Sequence, residues 1–130
     1  MEPPILHYLT TGLIAWALLG LMAAVAGLYW QPKADPDWWR GFWFMNAIWA
    51  FIDGAIGWSN LLAPAVTMEF LRNVLAINSG LDVAYIASGA LLAMRFTSPL
   101  VRGFGWAVIL QGAFLFIFDL SFLALAMRQG

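Results

Sequence analysis

The sequence has no cysteine, one lysine and one histidine, and only 10% of its 130 residues are charged. The absence of cysteine excludes disulfides, thiolate metal sites, iron–sulfur clusters and cysteine nucleophiles. The only lysine, Lys33, lies between two prolines in a polar stretch, which excludes a retinal Schiff base inside a helix bundle. The only histidine, His7, cannot supply bis-histidine haem ligation from one chain. We therefore predict no cofactor and no metal site.

The scarcity of charge also decides the class of protein. Soluble domains carry about 25% charged residues, whereas this chain is 63% hydrophobic and has a mean hydropathy of +0.82. So few charges cannot cover a globular surface in water, so we predict a polytopic membrane protein surrounded by a lipid bilayer. Because the sequence contains no run of basic residues, we expect no binding to nucleic acid.

Prolines divide the chain into long apolar segments. All six fall outside the apolar runs, at positions 3, 4, 32, 36, 64 and 99. Proline breaks or kinks helices, so the pattern predicts four helices over about 5–30, 38–62, 67–95 and 100–127. Each is longer than the roughly 20 residues that span a bilayer core. Short loops favour antiparallel neighbours, so we predict an all-α fold, a single transmembrane domain over 1–130 built as an antiparallel up-down bundle of four transmembrane helices.

Basic residues predict the orientation of this bundle. The first and third loops and the helix ends beside them carry Lys33, Arg40, Arg95 and Arg102, whereas the opposite side carries Arg72 and Arg128. Cytoplasmic loops are enriched in Lys and Arg, so we expect these two loops in the cytoplasm and both termini on the outside.

Two further patterns concern packing. Small residues recur four positions apart, as Gly20 with Ala24, Ala50 with Gly54, and Ala84 with Ser88. Such pairs let membrane helices approach closely, which favours packing within the bundle, with a homodimer interface as the alternative. The stretches "RGFW" at 40–43 and "RGFGW" at 102–106 each open a helix, which hints at a duplicated helical hairpin.

Polar residues follow one face of each of the last three helices. Asn46 and Asp53 are seven residues apart, a small net rotation about a helix axis. The candidate ligand-binding residues are Asn46, Asp53, Asn78, Asp82, Tyr85, Gln111 and Asp119. Their depth, at about 1.5 Å per residue, predicts two groups: Asn46, Asp82 and Gln111 in one half of the membrane, and Asp53, Asn78 and Asp119 in the other.

The carboxyl groups should face other helices, since an Asp at the membrane centre costs about 2.5–3.5 kcal/mol on insertion scales. No Lys or Arg is expected at their depth, so the groups hold protons, bind a cation or meet water. One alternative is structural, because amides and protonated carboxyls can simply join membrane helices. Trp16 and Trp49 should also lie deep, either in the core or at a cavity wall. On helix three, Glu69 and Arg72 are expected to pair.

The segments "MNAIWAFIDGAIG", "INSGLDVAYIASG" and "ILQGAFLFIFDL" resemble an uncharacterised family of small bacterial four-helix membrane proteins, known as a domain of unknown function. The resemblance covers helices two to four. It implies a multi-pass protein of the bacterial cytoplasmic (inner) membrane, and it brings no activity with it.

Three functions remain open at this point. The first is binding of a small ligand, a lipid head group, or a cation or proton at the polar residues between the helices. The second is a membrane-embedded lipid-modifying enzyme with Asp or His as general base, although no catalytic motif is present and Ser79 is the loosest of nucleophile candidates. The third is an accessory or scaffold subunit whose polar residues are only structural.

Overall fold

The computed structural model describes residues 4–30, 32–62 and 67–128, and within these residues all regular structure is α-helical. The four helices are α1 at Pro4–Tyr29, α2 at Pro36–Leu62, α3 at Met68–Arg95 and α4 at Pro99–Arg128. The prediction of an all-α fold with four long helices is confirmed.

The helix starts show how proline acts in this chain. Pro36 and Pro99 are the first helical residues of α2 and α4, not residues outside them. Proline suits this position because its missing N–H would have no partner there and its φ angle is already helical. The predicted starts at 38 and 100 were therefore slightly late. Two other predicted breaks, Pro3 and Pro64, lie outside the described residues.

The start of α3 has a different local cause. Thr67 adopts an extended conformation just before the helix, and its hydroxyl oxygen accepts a hydrogen bond of 3.1 Å from the backbone N–H of Phe70. This side chain satisfies one of the free N–H groups of the first turn. Glu69 in the same turn complements the positive end of the helix dipole.

The helices pack in the order α1, α2, α4, α3. Backbone contacts join α1 to α2, α2 to α4 and α4 to α3, with a small contact between α1 and α4. Within the described residues α2 and α3 have no close backbone contact. The bundle is therefore open between α2 and α3.

Glycines allow the closest helix crossings. Where α2 meets α4, a Cβ on Gly41 would collide with the carbonyl of Leu100, and a Cβ on Gly103 would collide with that of Trp38. Both glycines come from the repeated "RGF" sequence, so the two copies lie against each other in the structure.

Small residues also join α1 to α2. A Cβ on Gly20 would lie 3.8 Å from that of Ala50, and a Cβ on Gly54 would lie 3.6 Å from that of Ala17. The prediction that small residues pack inside the bundle holds for these pairs. It is wrong for Ala84 and Ser88, which are exposed on α3.

The distribution of polarity is inverted relative to a soluble protein. The buried polar residues are Thr10, Asn46, Asp53, Ser79, Asp82, Gln111 and Asp119. Large apolar side chains cover the outside instead, for example Met22 at 69% exposed, Ile77 at 64% and Ile117 at 67%. Soluble monomers rarely expose continuous apolar surface on this scale.

Three of the four helices are long and apolar enough to cross a membrane: Ile5–Tyr29, Met68–Arg95 and Pro99–Arg128. They are compatible with membrane spans. The sequence predicted four such helices, and α2 does not meet the same measure. Its Trp-rich start and the polar side chains of Asn46, Asp53 and Asn60 lower its mean hydropathy.

Candidate functional site: a carboxyl-lined cavity between α2 and α3

One group of buried polar side chains forms a closed hydrogen-bond network. Gln111 on α4 donates from Nε2 to Oδ1 of Asn46 on α2 at 2.7 Å. Trp16 on α1 donates from its indole N–H to Oε1 of Gln111 at 2.9 Å. Asn46 in turn donates to the carbonyl of Phe42, one helical turn earlier, at 2.9 Å. The network ties three helices together through groups that satisfy one another.

Aromatic rings of α1 and α4 pack together beside this network. Trp16 stacks on Phe114, with ring centroids 3.7 Å apart and planes within 8°. A Cβ on Gly12 would lie 3.0 Å from the Phe118 ring, so α1 has a glycine where α4 presents that ring. Asn46 and Gln111, two of the predicted ligand-binding residues, lie here and do not line the cavity described below.

The second group of polar side chains consists of three carboxyl groups from three helices. Asp53 on α2, Asp82 on α3 and Asp119 on α4 are 1%, 2% and 7% exposed. The carboxyl groups of the three residues lie close enough to one another to interact electrostatically. The helices thus bring together residues that are far apart in the sequence.

These carboxyl groups are not fully satisfied. One oxygen of Asp53 and one of Asp82, Oδ2 in each case, is buried and has no hydrogen-bond partner among the described residues. A carboxylate can only accept hydrogen bonds, so two carboxyl groups can bond to each other only when one carries a proton. The cluster is therefore open to a hydrogen-bond donor, whereas the Asn46–Gln111 network is not.

The carboxyl groups face a cavity of about 230 Å³. All four helices contribute to its lining, and α2 and α3 contribute most of it. Its polar lining residues are Asp53, Asn60, Asn78, Asp82, Tyr85 and Asp119. Five of these six were predicted as ligand-binding residues from the sequence, and the structure places all five around one space.

The walls of the cavity are apolar, and some of them reach the surface. Leu9 and Leu13 of α1 and Leu115 of α4 form the inner wall and are buried. Ile52 and Leu81, from α2 and α3, line the cavity but are 42% and 45% exposed. The cavity therefore reaches the surface on the side where the described residues of α2 and α3 have no close backbone contact.

Two groups of side chains lie beside the cavity. In one, Trp49 of α2 meets Tyr85 of α3 edge to face, with ring centroids 5.1 Å apart. In the other, α1, α3 and α4 share an apolar cluster built from Ile5, Leu6, Leu9, Leu71, Leu75 and Ala126. Of the two deep tryptophans, Trp16 packs in the core and Trp49 walls the cavity.

The predicted division of the polar residues into two halves needs one correction. Asn46 lies with Gln111, and Asp53 with Asp119, as expected. Asp82 does not join Asn46 and Gln111, because its carboxyl group lies beside Asp119. A depth counted from an uncertain helix start carries an error of about one turn, roughly 5.4 Å, which is enough to move a residue from one group to the other.

One other predicted contact differs from the structure. Arg72 does not pair with Glu69, because its Nε donates to the carbonyl of Ala126 on α4 at 3.1 Å. Among the described residues the one ion pair is Asp37 with Arg40, at 3.7 Å and exposed.

His7 is exposed at the start of α1, where its ring meets Tyr8, and it does not line the cavity. Within residues 4–30, 32–62 and 67–128 no three His, Asp or Glu side chains are arranged to hold a metal ion.

Sequence reasoning left Asn60 and Trp49 out of the candidate site. Asn60 continues the stripe of Asn46 and Asp53 along α2, so its position on the polar face was a usable signal. The apolar walls carried no such signal, because Leu and Ile occur all around these helices.

Fold and site together define a small all-α protein, apolar outside, with a carboxyl-lined cavity open between two of its helices. Residues 12–120 match DUF6992, a family of unknown function, and the chain belongs to that family. The predicted resemblance to a domain of unknown function is thereby confirmed. No curated protein and no solved structure matches the chain.

Proposed function

We propose that this chain is a small integral membrane protein that binds an amphipathic small molecule, which reaches the cavity between α2 and α3 from within the bilayer. The observation that carries the proposal is the cavity itself: its walls are apolar, its base holds three buried carboxyl groups, and it opens sideways. Ligand sites are typically concave and mostly apolar, with a few polar groups that orient the ligand.

Contacts between α1 and α2 support an antiparallel, up-down arrangement of the helices in the membrane. Gly27 packs against the ring of Trp43, whereas Gly57 packs against Ile14. As residue numbers rise along α2 they fall along α1, so these neighbours run in opposite directions. The pair α3 and α4 behaves in the same way.

The position of α2 supports four spans and not three. It lies between α1 and α4, and its Asn46 and Asp53 face those helices and not the exterior. The polar residues that lower its hydropathy are thus covered by protein once the bundle forms. Polar groups inside a membrane bundle almost always face its interior. We place the bundle in the bacterial inner membrane, with both termini outside.

A sideways opening matters for the choice of ligand. In a bilayer the exposed side chains of Ile52 and Leu81 would meet lipid tails, so an alkyl chain could enter without crossing water. The buried carboxyl oxygens would then receive the polar end of the molecule. This arrangement favours a ligand that has an apolar body and a hydrogen-bond donor at one end.

The alternatives find less support. The hydroxyl of Ser79, the nucleophile candidate, donates to the carbonyl of Leu75 at 2.8 Å and does not line the cavity. A purely structural role fits Asn46 and Gln111, which satisfy each other. It does not fit Asp53 and Asp82, which line a cavity and each keep one oxygen without a partner among the described residues.

Thermal unfolding of the protein in phosphatidylcholine nanodiscs, titrated with dodecanol, tests the proposal. Dodecanol is neutral, has an alkyl body and can donate one hydrogen bond. A ligand that binds only the folded state raises the unfolding temperature in proportion to its occupancy. We expect saturable stabilisation of the natural protein and of Ile77→Trp, an exposed position on α3 outside the cavity.

The matched variant Val74→Trp places the same ring in the cavity wall and should abolish that stabilisation. Equal stabilisation of both tryptophan variants would contradict the proposed function, as would a natural protein that neither dodecanol nor its amine analogue, dodecylamine, stabilises.

A further inference from the structure

Resting on the proposed function, we infer that the polar end of the ligand is a protonated amine with N–H donors, bound in exchange for a proton held by the carboxyl cluster. The structural basis is that Asp53 and Asp82 line the cavity, are more than nine-tenths buried, and each keep one oxygen without a hydrogen-bond partner among the described residues. The inference concerns the chemical class of the ligand and the ion balance of its binding.

A ligand group that matches the three carboxyl groups should both donate hydrogen bonds and carry a positive charge. Asp53, Asp82 and Asp119 supply acceptors from three directions, and a primary ammonium group carries three N–H donors. A hydroxyl group supplies only one donor, and a quaternary ammonium supplies charge but no donor. Of these three head groups, only the primary ammonium combines a positive charge with more than one hydrogen-bond donor. Hydrogen bonds between ionised partners are also about twice as strong as neutral ones.

Among the residues that the structure describes, no basic side chain lines the cavity. The titratable residues that line the cavity are Asp53 of α2, Asp82 and Tyr85 of α3, and Asp119 of α4. From α1 the cavity receives only leucines: Leu6, Leu9 and Leu13. The titratable groups that face the cluster are therefore three acids and a phenol. A cation must come from outside the chain.

Without such a cation the cluster must hold protons. Three like charges close to one another in a low-dielectric space repel strongly, so without a cation at least one of the three carboxyl groups holds a proton. When R–NH₃⁺ enters, it takes the position of that proton between the carboxyl oxygens. The proton leaves to solvent, so one positive charge enters the site and one leaves it, and no bond in the ligand is broken.

A ligand series on the natural protein in phosphatidylcholine nanodiscs tests the head group. Dodecylamine, dodecanol and dodecyltrimethylammonium share one alkyl chain and differ only in charge and donors. We expect dodecylamine to bind with a Kd lower than either of the others by about tenfold or more. Empty nanodiscs measure partition into lipid, which is subtracted. Dodecylamine is charged at neutral pH, since an alkyl ammonium titrates near a pH of about 10.4, as lysine does.

Variants assign the effect to the cavity. Asp53→Asn and Asp82→Asn each remove one negative charge with little change of shape, so each should lower the preference for dodecylamine over dodecanol. Asp37→Asn removes an exposed carboxyl group outside the cavity and should leave that preference unchanged. The ligand series on the natural protein decides the question even when a variant fails to fold.

Proton exchange is measured separately, with a pH-sensitive dye in weakly buffered solution. We expect release of about one proton for each dodecylamine bound, and none for dodecanol. Amine binding without proton release would overturn the exchange. Dodecanol binding as tightly as dodecylamine would overturn the inferred head group but leave the proposed function intact. Failure of both ligands to bind would overturn the proposed function itself.

Discussion

Asn46, Gln111, Asp53 and Asp82 are all buried polar residues of one bundle, yet they have different surroundings. The two amides bond to each other at 2.7 Å, and the Trp16 indole completes their network. Each carboxyl group keeps one oxygen without a partner and faces a cavity. The sequence places all four on inward faces. Only the structure distinguishes the two amides, whose hydrogen bonds are satisfied, from the two carboxyl groups, each of which keeps an oxygen without a partner.

At Gln111 we expect truncation to alanine to destabilise the fold. It leaves the oxygen of Asn46 and the N–H of Trp16 without a partner, at a cost of about 1–2 kcal/mol. Denaturation of the micelle-bound protein by SDS, followed by circular dichroism, measures the free energy of unfolding. The neighbouring Leu110→Ala, at an exposed position, is the control and should cost less. Equal losses for both variants would argue against the network.

At Asp53 we expect substitution by asparagine to cause no loss of stability. Replacement by asparagine removes a buried acid whose oxygen has no partner, and a neutral amide costs less to bury than an ionised carboxylate. The free energy of unfolding should stay the same or rise by about 1 kcal/mol, while dodecylamine binding weakens. The same SDS denaturation measures the first effect. Loss of stability at Asp53→Asn would show that the carboxyl group is structural.

At the scale of helices, the sequence predicted the number and bounds of the helices well because prolines mark the ends of its long apolar runs. Long apolar runs between prolines predicted four helices, and the observed bounds differ from the predicted ones by a few residues. The largest difference, at the start of α2, arises because Pro36 begins the helix. Sequence alone could not show that α2 and α3 stand apart, because this depends on how the rings of Trp16, Phe114 and Phe118 pack between α1 and α4.

The crossing of α2 and α4 depends on glycine. At Gly103 a methyl group would collide with the carbonyl of Trp38 and lie 2.9 Å from the backbone nitrogen of Phe42. Backbone atoms cannot move aside as a flexible side chain can, so Gly103→Ala should cost about 1–3 kcal/mol. SDS denaturation again measures the change.

Gly80 on α3 is the matched control for this substitution. A Cβ there would meet no heavy atom within 4 Å, so Gly80→Ala should keep or raise stability. Alanine favours a helix over glycine by up to about 1 kcal/mol. A stable Gly103→Ala variant, or a damaged Gly80→Ala variant, would contradict the packing of these helices.

At the scale of the whole molecule, the outside is apolar and the acids are inside. That pattern was predictable from composition, since a chain with 10% charged residues cannot present a polar surface. The number of spans was harder to predict. α2 carries Asn46, Asp53 and Asn60 and is not among the three helices apolar enough to cross a membrane. In the proposed membrane protein, Asn46 and Asp53 become acceptable because they are buried in the bundle.

Single-cysteine labelling tests the four-span path, and the chain offers a clean background because it has no cysteine of its own. The variants Lys33→Cys, Glu69→Cys and Arg102→Cys place one exposed thiol in or beside each loop. With four spans, an impermeant maleimide added to intact cells should label Glu69→Cys but neither of the others, which require permeabilised cells.

Labelling of Lys33→Cys and Glu69→Cys from the same side would mean that α2 does not cross the membrane. Labelling of Lys33→Cys and Arg102→Cys, but not Glu69→Cys, on intact cells would keep the four spans and reverse the orientation expected from the basic residues.

The central claim is that an amphipathic molecule occupies the cavity between α2 and α3. The most direct measurement is photo-crosslinking with a dodecylamine that carries a diazirine in its chain, followed by peptide mass spectrometry. The account predicts labels on cavity-lining residues such as Ile52, Leu71 and Leu81, suppressed by unlabelled dodecylamine. Labels spread over outward residues such as Met22 and Ile117, and unaffected by that competitor, would contradict it.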